Sequence, residues 1–179
     1  MAEMMPDDGA FLPVGEGRGP VGRVLARLVE WWALAGGAVL LAVVVMNSAS
    51  VFGAFAANLP VPGDFELTEM GICIAAFGFL PYCQMVGANV TADIFTEGAG
   101  PRLRGVFAFA AALVALLFAS LLLWRMWAGM LDKMEYGETT AILQLPHWPA
   151  YLPILVSLAL LAAASLMSLG DAWRAIRGR

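Results

Sequence analysis

Carboxylates gather at both mouths of one apolar stretch. Asp64, Glu66 and Glu69 lead into the run Met70 to Val86, and Asp93 follows it behind Asn89. An acid in or beside a bilayer is costly unless it caps a helix, reaches water or meets a partner, so the chemistry open to these residues is electrostatic. Glu66 and Glu69 stand three apart, on one face of the first two turns of a helix that Gly63 or Asp64 can start. Two readings stay open for that pair. Their charge stabilises the positive end of the helix dipole by about 0.3–1 kcal/mol where exposed, or it contacts a partner subunit.

Other reactive side chains are scarce. His147 is the single histidine, so no bis-histidine haem or histidine-based zinc site can form within one chain. Cys73 and Cys83 lie ten residues apart on one expected helix, about 15 Å along its axis and beyond disulfide reach. No phosphate-binding GxxxxGK[ST] loop or dinucleotide fingerprint occurs, and the lone Lys133 follows an apolar helix. These absences argue against an enzyme, a resident cofactor or metal, and a nucleic-acid partner. Arg125 sits inside Trp124-Arg125-Met126-Trp127, an aromatic belt from which an arginine snorkels to the headgroups.

The elements that must position these residues are membrane helices. The chain has 179 residues, 61% hydrophobic and 13% charged, with a mean hydropathy of +0.79, far more apolar than a soluble domain. A helix needs roughly 20 apolar residues to cross the ~30 Å hydrocarbon layer, and four segments suffice: about 31–57, 65–88, 106–130 and 148–169. The reading is an all-α integral membrane protein: a disordered tail over 1–20, without a secretory signal, then a four-helix membrane domain over 21–179. Arg18, Arg23 and Arg27 precede span one, Arg102 and Arg104 separate spans two and three, and Arg174, Arg177 and Arg179 follow span four. By the positive-inside rule both termini are cytoplasmic.

Within that frame, Arg23, Arg27 and Glu30 fall on one side of an amphipathic turn and Val24, Leu25, Leu28, Trp31 and Trp32 on another, a headgroup anchor. Asn47, Ser48 and Ser50 offer interhelical hydrogen bonds, weighed against a polar path. Pro81 is expected to kink span two, with Gln84 one turn below as structural glue. The outer segment Tyr136 to Pro153, with Trp148 in its His-Trp-Pro, is too apolar for a free loop and is expected to lie on lipid or a partner. No internal repeat or inverted pair of broken helices suggests a self-sufficient transporter.

The run PGDFELTEMGICIAAFGFLPYCQMVGANVTADIFT, Pro62 to Thr96, resembles the small membrane subunit of TRAP (tripartite ATP-independent periplasmic, DctQ-like) transporters. The four spans and the pattern Tyr136-Gly137-Glu138-Thr139-Thr140 … Leu145-Pro146-His147-Trp148 resemble it too, so that the likeness covers roughly residues 30–170. Glu66 matches the family's acid at the start of span two and Asp93 the acid after it. Asn89 stands where many members have His, and Val51 to Phe55 replaces an Arg–aromatic pair, which suggests a subgroup. The resemblance implies one part of a sodium-driven uptake system for organic acids in the bacterial inner membrane. A periplasmic protein would capture substrate, a large multispan permease would carry the substrate and sodium sites, and this chain would brace it in the lipid.

Two other classes compete. A self-contained homo-oligomeric exporter or channel would favour a carboxylate in mid-span, whereas every acid here lies near an interface. A redox anchor or membrane enzyme is disfavoured by the single histidine.

Overall fold

The structure, a computed structural model, describes residues 20–87 and 101–177. The expected tail, apart from Pro20, and both Asn89 and Asp93 lie outside the described residues. Four helices follow one another: α1 (Pro20–Ala57), α2 (Asp64–Val86), α3 (Pro101–Glu135) and α4 (Trp148–Arg177). Each is long and apolar enough to cross a membrane, so the fold is an all-α arrangement of four spanning-capable helices. Proline opens α1 and α3, where its missing N–H costs nothing. α3 ends in a Schellman turn: the Glu138 N–H donates to the Lys133 carbonyl at 3.3 Å around Gly137.

Three of the helices outrun the expected spans. α1 begins about ten residues early because the basic turn over 21–30 continues straight into the apolar run. Its 38 residues make it about 57 Å long, nearly twice the hydrocarbon thickness. The turn also has a protein-facing side of its own, and most residues of the expected headgroup anchor point away from it. Gly22, Ala26 and Val29 face the protein, whereas Val24, Leu28 and Trp31 are exposed beside Arg23 and Arg27. Small residues win the protein-facing side because they let the helices approach; the bulky apolar ones are left for the surroundings. α2 runs unbroken through Pro81, which is fully buried.

α1 and α2 form an antiparallel hairpin closed by glycines. A Cβ on Gly36 would lie 3.4 Å from the Ala75 carbonyl, and one on Gly78 would lie 3.4 Å from the Gly36 Cα. α4 then packs beside α2 and carries α3 on its far side, so the spatial order is α1–α2–α4–α3. Ala26 and Val29 of α1, Met85 of α2 and Ala164 of α4 form a small core. Across the α1–α4 gap the Trp32 indole donates to the Ser157 hydroxyl at 2.8 Å. At the other flank Trp173 packs at a tilt of 43° against Phe109, centroids 5.7 Å apart, with the Arg177 guanidinium 4.7 Å from the Trp173 ring. The result is an open layer. Only 11% of the most apolar stretch of α1 and of α3 is buried within the chain, against 33% for α2 and α4, so the two outer helices keep most of their apolar surface for something else.

Candidate functional site

The loop over 58–63 and the loop over 136–147 meet at one end of the layer, and the acids of the second span organise that end. Asp64 opens α2. Its Oδ1 accepts the Phe65 N–H at 2.7 Å, and its Oδ2 accepts the Ser50 hydroxyl of α1 at 2.5 Å. The same hydroxyl accepts the Val61 N–H at 3.1 Å, so one buried serine fixes both the turn and the start of the helix. One turn below, Thr68 donates to the Asp64 carbonyl at 2.6 Å and accepts the Asn47 amide at 2.7 Å; Asn47 also donates to the Val43 carbonyl at 3.0 Å. Interhelical bonds of this kind are worth ~0.6–2 kcal/mol each in a membrane.

Gly63 precedes Asp64 in the left-handed conformation, φ 72°, and makes no side-chain cap. A Cβ there would collide with the Leu143 side chain, so glycine serves both the backbone turn and the seat for the opposing loop. Glu66 completes that seat. Its two carboxylate oxygens accept the Ile142 N–H at 2.6 Å and the Leu143 N–H at 3.1 Å. The loop itself is braced by the Thr140 N–H to Leu145 carbonyl bond at 2.9 Å, the Leu145 N–H to Thr140 hydroxyl bond at 3.0 Å, and the Lys133–Glu138 ion pair. The 136–147 segment is thus tied to α2 of its own chain, while Tyr136, Ile142 and Leu145 stay exposed.

Beneath this latch is a groove of about 470 Å³, open to one side. Glu66, Glu69, Met70 and Cys73 of α2 form one wall, Thr140 and His147 of the loop the rim, and Tyr151 and Ile154 of α4 the other wall, with Met126 of α3 at the base. Glu69 and Cys73 are exposed into it. The remaining candidates lie apart. Gln84 and Pro81 are buried toward the far end of α2, Arg125 is exposed on α3 between the exposed Trp124 and Trp127, and Trp148 is half-buried as the first residue of α4.

Among the described residues no three His, Cys, Asp or Glu side chains converge to hold a metal. The arrangement of the described residues ties elements together and shapes a surface. Asn47 and Ser50 were legible as interhelical donors. The partners of Glu66 were not, because backbone N–H groups of Ile142 and Leu143 carry no mark in residue type.

Comparison with known families gives a match over residues 40–175 to the DctQ component of the tripartite ATP-independent periplasmic transporters. No curated protein and no solved structure matches. The matched region takes in most of the chain, including the acid-organised end, the latch loop and parts of all four helices. The chain belongs to the DctQ family, the small membrane component of TRAP transporters.

Proposed function

We propose that this chain is the static brace of its transporter. It holds a large multispan permease subunit in place during sodium-driven, binding-protein-dependent uptake of organic acids or similar solutes. The observation that carries this reading is the open layer. α1 and α3 flank it with exposed Leu34, Leu41, Val44 and Val45 on one side and Val114, Leu117, Phe118 and Leu121 on the other. Lipid covers part of that surface and the permease subunit the rest. An elevator-like movement of one subunit needs another that stays fixed, and four helices longer than the ~30 Å hydrocarbon layer resist tilting when anchored by headgroup-level Trp and Arg.

In this reading substrate and sodium sites belong to the permease subunit, and this chain performs no catalytic step. Both termini are cytoplasmic, which turns the latched loop end toward the periplasm. There Glu66, Glu69 and the Tyr136–Trp148 segment shape the surface on which the substrate-binding protein docks. Purifying the tagged full chain in mild detergent from its native host, followed by mass spectrometry, tests the brace. A large multispan protein recovered in stoichiometric amount supports it. Recovery of the chain by itself as a defined oligomer overturns it in favour of a self-contained exporter or channel.

A further inference from the structure

Near the loop the groove under the latch is mixed, with Phe65 beside the polar Glu66, Thr140 and His147, and below Glu69 and Tyr151 it turns apolar. On α2, Glu69 stands one turn above Cys73; on α4, Tyr151 stands one turn above Ile154. Glu69 lies five residues into α2, about 7.5 Å from its first residue. A space graded this way along the membrane normal fits an amphiphile standing head to the loop and tail to the core.

Charge narrows the head. The oxygens of Glu66 are taken by the Ile142 and Leu143 N–H groups. Glu69 accepts no hydrogen bond and meets no cation among the described residues, while the nearby Lys133 is already paired with Glu138. A carboxylate at this depth is stable only beside water or a positive group, and the chain offers it no cation of its own. We infer that the groove is a lipid site for a phospholipid whose head carries a primary ammonium group. The ammonium donates to Glu69, the Tyr151 hydroxyl donates to the phosphate, and an acyl chain runs over Cys73 and Met126.

Ammonium-to-carboxylate bonds are charge-assisted and fully formed only by a head with N–H donors, so an ethanolamine head is held and a glycerol head is not. The test uses the full chain, purified and stripped of lipid in detergent, then offered an equimolar mixture of phosphatidylethanolamine and phosphatidylglycerol. Retained lipid is counted by native mass spectrometry. About one phosphatidylethanolamine per chain is expected, enriched about tenfold over phosphatidylglycerol. Glu69→Gln brings the two lipids to parity, and Cys73→Trp, which fills the exposed wall one turn below and leaves the carboxylate in place, abolishes retention of both. Equal retention of the two lipids by the unaltered chain overturns the proposal. So does an unchanged preference in Glu69→Gln of normal helicity, and so does exclusion of both lipids from the unaltered chain by a co-purifying protein seated on the groove.

Discussion

Glu66 fastens a twelve-residue loop to a helix that precedes it by some 70 residues, and it does so through two backbone donors. The sequence marks Glu66 as an acid at a helix start and leaves two roles for it, dipole capping and partner contact. The third role, accepting main-chain N–H groups of another loop, leaves no trace in side-chain identity. Glu66→Ala is expected to release the latch without unfolding the layer, since the α1–α2 and α3–α4 contacts do not pass through it. Hydrogen exchange at the Ile142 and Leu143 amides should rise at least about tenfold, with protection in α2 and α4 unchanged. Unaltered exchange at both amides would show that the carboxylate does not hold them. Ser157 is a second single-residue tie, because its hydroxyl receives the Trp32 indole while donating to the Pro153 carbonyl at 2.8 Å. Ser157→Ala should cost about 0.6–2 kcal/mol in detergent unfolding, and a cycle with Trp32→Phe should find the two losses coupled. Additive losses would remove the bond from the account.

At the scale of elements, helix number and type were legible because roughly 20-residue apolar runs separated by Pro, Gly and charge have few other fates in a bilayer. Helix ends were less legible. The basic turn leads into span one at helical spacing, and because nothing in Val21–Glu30 breaks a helix, α1 takes in the turn and begins about ten residues before the expected span. Which face of that turn is buried also escaped the pattern. Hydrophobicity marks Val24, Leu28 and Trp31 for the headgroup layer and they stay outward, whereas Gly22 and Ala26 take the inner side because close packing decides it where lipid is as apolar as a leucine. The α1–α2 hairpin obeys the same rule. A Cβ at Gly71 would run into the Val43 side chain, so Gly71→Leu must push the two helices apart. A loss of about 1–3 kcal/mol in unfolding is expected, with Val114→Leu on the exposed face of α3 as a neutral control. Equal stability of the two variants would deny the tight hairpin.

As a DctQ-family component with four spanning-capable helices, the whole molecule is a multi-pass protein of the inner membrane. Its helices stand side by side, and the two outermost bury little of themselves. No sequence period encodes that order; it follows from which helices carry small-residue faces toward one another. The proposed topology makes a separate demand. In a chain with Cys73 and Cys83 replaced by serine, a cysteine at Ile142 should react with an impermeant maleimide from outside the cell, and one at Arg177 only after lysis. The reverse pattern would invert the assignment and remove the periplasmic docking surface with it. The brace itself is tested most directly by solute flux into proteoliposomes under a sodium gradient. The comparison is between vesicles holding this chain alone, vesicles holding its permease partner alone, and vesicles holding both with the binding protein. The account predicts no flux from the chain alone and full flux with the complete set. Sodium-dependent uptake by this chain without any partner would contradict it.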